Sequence, residues 1–416
     1  MGNGESKTWV LLAAGSKDWD NYRHQADVCH AYQIIHRSGI PDEQIVVMMY
    51  DDIAYNVENP KKGNIINVPN GPNVYEGVLK DYTGNDVSAD NFLAVLRGDS
   101  VAVKTKGPKK VLKSGSNDTI LIYLSDHGST GMFSFPKSTL YATDLIDTVT
   151  EMSNNQQFSK MVIYMESCHS GSMLQGLPSS CNVYGISAST PEESSFACFF
   201  DEWRNAYLAD EFSTFLFHHI KTHDLNRTTL ERQFDFLKKK VKSSKPCQYG
   251  NMQIGQEYLC QFWGNDPAAG TKGEAYHIQV NDAIASHNVP LRIQANRIQR
   301  ERDPRRKREH QRKYDELQRT TSKIERVVLE IQQRCTYRCA STSRRRAEQG
   351  FACMERTKLV GLKTVTEHFR TSCFDWHDER FGIALQHAHV FADLIYSGTE
   401  EYRIMEAITA VRGRLF

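Results

Sequence analysis

With 416 residues, 40% of them hydrophobic, the chain is long enough for one sizeable core and a second, smaller unit. No run reaches the apolar length needed to cross a bilayer, which excludes a helical membrane span. The formal net charge of +1 conceals a split: residues 1–290 carry net −8, residues 291–346 net +11 and residues 347–416 net −2.

Short continuous apolar runs alternating with helical spacing predict a parallel sheet with helices on both faces. Trp9–Ala14 is too short for a signal peptide and flows into Gly15-Ser16, so it reads as the first buried strand. Any secretory leader is expected to have been removed or to lie outside this sequence. Met1–Ser6 also fits the permissive N-myristoylation pattern, although a trimmed start accounts for the same residues. Tyr22–Arg37 has helical spacing and stops at Ser38-Gly39, before Ile40-Pro41. Gln44–Tyr50 is the second predicted strand and Asn91–Leu96 a short helix. Arg97-Gly98-Asp99 resembles an integrin tripeptide but reads as a helix end. Thr119–Ser125, Met161–Glu166 and Asn182–Ala188 complete the strands, each continuous rather than alternating, as burial on both faces requires. The right-handed crossover rule stacks them in one open sheet.

Near residue 290 the texture changes. Arg297–Arg346 is poor in aromatics and rich in Arg, Lys and helix formers, which predicts an exposed helical connector over 291–346. From Gly350 apolar periodicity returns, through Leu362, Val365, Phe369, Trp376, Leu385 and Leu394, predicting a small helical domain over 347–416. Residues 1–290 form the remaining, larger domain. The ten cysteines contain no paired zinc-ligand pattern, so neither a metal nor a cofactor is expected. Asn117 and Asn226 open N-x-Thr sequons that would carry glycans if the chain is secreted.

Two predicted strands end in reactive residues. Thr119–Ser125 runs into Asp126-His127-Gly128, and Met161–Glu166 into Ser167-Cys168-His169-Ser170-Gly171. In open parallel sheets ligands bind beyond the carboxyl ends of the strands, so His127 and Cys168 would be presented side by side. A thiol needs a base to populate its thiolate, and an imidazole supplies one near neutral pH. Glycines beside both residues let backbone N–H groups approach a substrate carbonyl, as an oxyanion hole requires. The competing reading is a buried structural thiol and an ordinary loop histidine. His169 reads as a rim side chain and Asp126 as a residue that shapes its loop.

Asn21-Tyr22-Arg23-His24-Gln25-Ala26-Asp27, Gly39-Ile40-Pro41-Asp42, Ser125-Asp126-His127-Gly128-Ser129-Thr130-Gly131 and Glu166-Ser167-Cys168-His169-Ser170-Gly171-Ser172-Met173 resemble successive signatures of the legumain (asparaginyl endopeptidase) family. Pro191–Ser195 and Tyr207–Asp210 continue the likeness, which is dense over about 1–265 and thin again at Glu367–His377. The resemblance implies a caspase-like α/β fold with a helical C-terminal domain, and cysteine-endopeptidase cleavage after Asn, less readily after Asp. By motif position it implies Cys168 as nucleophile, His127 as general acid/base, Asn21 as the residue holding the histidine, and the nitrogens of Gly128 and Cys168 as oxyanion hole. Arg23, His24, Glu166, Ser195 and Asp210 would line the P1 pocket. A carboxamide is donor and acceptor at once, so an Arg for its oxygen and carboxylates for its NH2 complement both ends. An aspartate would face Glu166 and Asp210 with like charge unless protons intervene.

The resemblance further implies an acid-activated zymogen whose C-terminal prodomain is an intramolecular inhibitor, in line with a +11 segment able to lie on a −8 domain. Asn288, Asn296 and Asp303 are candidate autocatalytic processing sites, and Arg305–Arg308 a basic one. Protein and peptide substrates, cystatin-type inhibitors and an endolysosomal, vacuolar or secreted location follow from the family. The likeness thins at the cysteines: none follows Cys373, so any bridge in the C-terminal region must use Cys335, Cys339, Cys353 or Cys373. The catalytic subunit of the GPI transamidase shares the first two signatures but normally ends in a membrane helix. A ligase mode would resolve the same acyl-enzyme with an amine. A nucleic-acid-binding role for Arg297–Arg346 lacks an aromatic platform or groove-reading motif, so no nucleic acid is expected as partner.

Overall fold

The computed structural model describes residues 6–105, 107–265, 278–336 and 356–415. Most of the myristoylation pattern, Cys339 and Cys353 lie outside the described residues. The chain divides into two compact units, Met1–His127 with Phe133–Ser286, and Gly128–Met132 with His287–Phe416.

The first unit is built on strands β1 (Thr8–Ala14), β2 (Ile45–Met48), β3 (Thr119–Ser125), β4 (Lys160–Glu166) and β5 (Val183–Ser187), all parallel, with β8 (Cys247–Gly250) antiparallel on one edge; the order is β8-β5-β4-β3-β1-β2. The sheet is therefore mostly parallel, as expected, and the five predicted strands are present within one or two residues of their expected ends. Alternate residues explain why the runs are continuous. Val10, Leu12, Leu121, Tyr123, Val162 and Tyr164 face a cluster that includes helix α1 (Tyr22–Arg37). Their neighbours Leu11, Ala13, Ile120, Ile122 and Ile163, which point the other way, are equally inaccessible at 0%. Each such Leu or Ile stabilises the fold by about 1.5–3 kcal/mol. Further helices are α2 (Ala89–Leu96), α3 (Ala142–Asn154), α4 (Ser170–Leu174), α5 (Glu211–Thr222), α6 (Leu230–Lys240) and α7 (Cys260–Trp263). Three segments form a second, antiparallel sheet, β6 (Phe196–Asp201) between β7 (Ala206–Asp210) and β9 (Ile284–Ala285).

Helix α1 ends as predicted: Ser38 donates back to Ile34 O, and Gly39 adopts φ +87°. The Arg97-Gly98-Asp99 turn is a helix end, with Asp99 Oδ1 accepting from the N–H groups of Val101 and Ala102. Gly15, just past β1, has no room for a side chain. A Cβ there would lie 2.1 Å from Ser134 O and 2.4 Å from Asp126 Oδ2. Gly15→Ala is expected to cost about 1–3 kcal/mol by overpacking, read as a lower urea midpoint at unchanged m.

The second unit contains α8 (Val289–Arg300), α9 (Pro304–Thr336), α10 (Arg356–Ser372), α11 (His389–Tyr396) and α12 (Glu401–Leu415). Helix α9 covers much of the segment expected as an exposed connector. Arg305–Arg308 are exposed, but Ile324, Val327, Val328, Ile331 and Cys335 form a buried stripe at helical spacing. Among the described residues no helix is long and apolar enough to cross a membrane.

Candidate active site

Strands β3 and β4 run in register to Ser125 opposite Glu166, and Asp126 N–H donates to Glu166 O at 3.1 Å. His127 and Cys168 each follow two residues beyond that pair, so parallel pairing brings both to the same end of the sheet. His127 is half-buried, and its Nε2 lies 2.7 Å from Asn21 Oδ1. Asn21 is the N-cap of α1, yet its side chain does not cap the helix. Its Nδ2 donates to Lys17 O at 2.9 Å, which turns Oδ1 toward the histidine. A bond from Nε2–H to that oxygen leaves Nδ1 as the basic nitrogen. Removing it by Asn21→Ala is expected to lower kcat roughly tenfold or more at nearly unchanged KM, measured by steady-state kinetics.

Cys168 is buried, with Sγ 3.5 Å from Ser195 Oγ and accepting the Ser195 N–H at 3.3 Å. Burial pushes the thiol up, while Ser195 and the Arg23 charge pull it back. The sulfur therefore needs a proton acceptor to become a nucleophile near neutrality. The next residue, His169, sits at φ +54°, donates its N–H to Glu193 O at 2.7 Å and has Nδ1 2.8 Å from Pro191 O. Its ring is buried and tied to the carbonyl of Pro191.

Beside these lies a buried polar cluster. Arg23, on the first turn of α1, donates from Nε to Asp210 Oδ1 at 2.9 Å, and its Nη2 has no hydrogen-bond partner. Asp210 is the N-cap of α5 and, like Asn21, does not cap its own helix. Glu166 takes over that task, its Oε2 accepting from Ser213 N at 2.9 Å and Ser213 Oγ at 2.8 Å. Glu166 Oε1 is left buried without a partner. Burial, and the neighbouring Asp210 charge, hold the Glu166 carboxyl well above the usual range; burial also raises Asp210, against the opposing pull of Arg23. His24 is held neutral by burial next to Arg23 and His127. Its Nδ1 lies 2.7 Å from Ser16 Oγ and 3.1 Å from Asp126 Oδ1, and its ring meets His127 edge-on at 5.0 Å. Buried Asp126 thus supports His24. Because His24 is neutral, that contact is not an ion pair, and Asp126 Oδ1 is left buried without a hydrogen-bond partner. His24, Asp126 and His127 bring one ligand-type atom each within 4.8 Å of one another. Ser16 and Asn21 already engage the two rings.

Thus Asn21, His24 and His127 meet, and so do Arg23, Glu166 and Asp210, while Ser195 contacts Cys168. Ser286 Oγ is 3.2 Å from Ser195 Oγ, so strand β9 carries the chain to the site two residues before Asn288. Asn296 is buried on α8; Asp303 is exposed, and its carboxylate accepts from the N–H groups of Arg305 and Arg306. Asn117 and Asn226 are exposed. Sequence reasoning missed Ser16 and Ser213, which engage His24 and Glu166.

Residues 8–265 match the peptidase C13 family. The chain belongs to that family. Legumain of Homo sapiens is 44% identical over 396 residues, covering 93% of this chain and 89% of the relative. This peptidase C13 member is also 39% identical over 310 residues to the vacuolar-processing enzyme delta-isozyme of Arabidopsis thaliana, with 70% of this chain and 66% of that protein covered. The hemoglobinase of Schistosoma japonicum is 40% identical over 292 residues, covering 70% and 68%. Among solved structures, caspase-1 of Spodoptera frugiperda matches with a TM-score of 0.38 at 11% identity, covering 63% of this chain and 92% of that one. As a peptidase C13 protein of the legumain type, the chain is a cysteine endopeptidase acting on protein substrates.

Proposed function

We propose that the enzyme hydrolyses peptide bonds after asparagine, with Cys168 as nucleophile, His127 as general acid/base and Asn21 holding the imidazole. Cys168 attacks the carbonyl, His127 takes the thiol proton and returns it to the leaving amine, and water resolves the thioester. The N–H groups of Gly128 and Cys168, beside the two reacting side chains in the chain, serve as oxyanion hole. The observation that carries the P1 reading is a pair of buried polar atoms without partners, the donor Arg23 Nη2 and the acceptor Glu166 Oε1. Orphaned buried groups are costly, and a carboxamide satisfies both kinds at once. His24, Ser195 and Asp210 complete the pocket. Peptides differing only at P1 test this: Asn should lead, Asp should follow only as pH falls, and Gln and Ala should be poor. Equal rates for Asn and Ala would sink it.

The protein is made as a zymogen with its C-terminal helical part as intramolecular inhibitor, and Asn288 is its first processing site. The approach of β9 to Ser195 supports Asn288 ahead of Asn296, which is buried, and of Asp303, whose carboxylate already accepts two helix N–H groups. Mass spectrometry of the acid-matured chain should find a new C-terminus at Asn288, absent from Cys168→Ala. A cut among Arg305–Arg308 in that variant would point to another protease. The named relatives support an endolysosomal or vacuolar location, where Asn117 and Asn226 would carry glycans and cystatin-type inhibitors would bind the mature site. An amine in place of water makes the same acyl-enzyme a ligase.

A further inference from the structure

The loop from Gly15 to Asp18 leads from β1 to Asn21, and one of its peptide groups is held in an unfavourable orientation. Asp18 adopts φ +70° and ψ 155°, a combination open to glycine and costly for a residue with a Cβ. The peptide that joins Lys17 to Asp18 is gripped at both ends. Its N–H donates to Asp52 Oδ2 at 2.6 Å. Its carbonyl, Lys17 O, accepts from Asn21 Nδ2 at 2.9 Å, the contact that turns Asn21 Oδ1 toward His127. Asp52, in the turn after β2, is itself fixed. Its Oδ1 accepts from Gln25 Nε2 at 2.7 Å, and the same nitrogen reaches Ser16 O at 3.4 Å. Gln25 Oε1 accepts the Asp51 N–H at 3.1 Å, so a buried side chain of α1 ties the turn to the loop. Neither Asp52 nor Gln25 takes part in the reaction described above.

We infer that Asp52 is a positioning residue for the catalytic histidine: by holding the Lys17–Asp18 peptide against its backbone strain, it keeps the carboxamide oxygen of Asn21 on His127. The inference rests on the proposed roles of His127 and Asn21 and deepens them. A peptide group has its donor and its acceptor on opposite sides, so its orientation decides which one Asn21 meets. Without Asp52 the charge-assisted bond that offsets the strain at Asp18 is lost. Turning the peptide over then returns φ to the negative range that any residue adopts. The Asp18 N–H comes to point where Lys17 O had been. Asn21 must answer a donor with its oxygen, which brings its NH2 to His127 Nε2. That nitrogen becomes the acceptor, the hydrogen moves to Nδ1, and Nδ1 can no longer take the thiol proton. The Asp18 carboxylate has no part in the clamp; its Oδ2 lies 3.0 Å from Lys17 Nζ in a part-exposed pair.

The test measures kcat and KM for a P1-Asn peptide, per titrated active site, on the full-length chain matured in acid. Asp52→Ala should lower kcat roughly tenfold or more at nearly unchanged KM, as Asn21→Ala does. Because Asp52 acts through Asn21, the double variant Asn21→Ala/Asp52→Ala should stay within about threefold of Asn21→Ala alone. Glycine tolerates positive φ, so Asp52→Ala/Asp18→Gly should recover roughly threefold or more in kcat over Asp52→Ala, although it adds no contact. An Asp52 that merely supported the fold would give a loss that multiplies with that of Asn21→Ala, and glycine at position 18 would not repair it. Multiplying losses, no recovery with glycine, or wild-type kcat in folded Asp52→Ala each overturn the inference. Should Asp52→Ala not fold, Asp18→Pro decides. Its ring forbids φ +70° and leaves no N–H for Asp52, so kcat should fall as far as in Asn21→Ala, and near wild-type kcat there overturns the inference. Wild-type kcat in Asn21→Ala would instead remove the reading of Asn21 itself; a loss in Asn21→Ala with none in Asp52→Ala removes only the role of Asp52.

Discussion

Cys168→Ala and His127→Ala are each expected to reduce peptide hydrolysis by roughly 10³-fold or more, with peptide binding retained. The size of the effect follows from the thiol. Buried, it is held above its ordinary value, so without a base almost none is thiolate near neutrality. Removing the sulfur removes the covalent route altogether, whereas removing the imidazole leaves a poor, protonated nucleophile. The double variant should lose little more than either single one, because the two groups act as a unit. Active-site titration with an alkylating peptide separates the cases: Cys168→Ala should take up no label, and His127→Ala should be labelled slowly, faster as pH rises. A His127→Ala enzyme with near wild-type turnover would show that another group accepts the proton.

The placement of His127 and Cys168 at one end of the sheet was legible in the sequence because it depends on strand ends. Once Thr119–Ser125 and the run to Glu166 read as neighbouring parallel strands, a two-residue overhang on each puts His127 and Cys168 at the same end of the sheet. The hairpin of β6 and β7 was not foreseen as strands. Phe196–Asp201 alternates irregularly, with Phe199 at φ +61°, so its pattern has no clean period. Edge strand β8, Cys-Gln-Tyr-Gly, is half-buried along its length and carries no apolar signal. The second layer of the pocket was hidden for another reason. Ser213 reaches Glu166 across 47 positions and Asn67 reaches Asp27 across 40, and such contacts leave no local spacing. A subtler signal was available: Asn21 and Asp210 are good N-cap residue types that immediately precede helices, and both side chains are spent elsewhere.

Glu166→Gln is expected to turn the pocket's preference around. Ser213 N–H and Oγ–H both point at Oε2, so the carbonyl of the introduced glutamine must take that place and its NH2 must occupy the position of Oε1. An asparagine substrate then meets a donor where it needs an acceptor. One mispaired buried group costs about 1–3 kcal/mol, or roughly 5- to 150-fold in kcat/KM for P1-Asn. An aspartate substrate instead gains a donor, so its cleavage near neutrality should rise. Wild type reaches the same state by protonation. Burial and Asp210 hold the Glu166 carboxyl well above the usual range; above that raised value Oε1 is an anion that repels a P1 carboxylate, and below it Oε1–H donates. P1-Asp cleavage should therefore grow as pH falls through the raised value in wild type, and much more gently in Glu166→Gln. Stability carries the same sign. The folded protein keeps a proton that the unfolded chain would release, so this contribution is present at low pH and lost as pH rises through the raised value. The unfolding temperature of Glu166→Gln should then fall less steeply than that of wild type as pH rises through that value. Retention of wild-type P1-Asn rates by Glu166→Gln, with an unchanged pH profile for P1-Asp, would remove Glu166 from the recognition of the side chain.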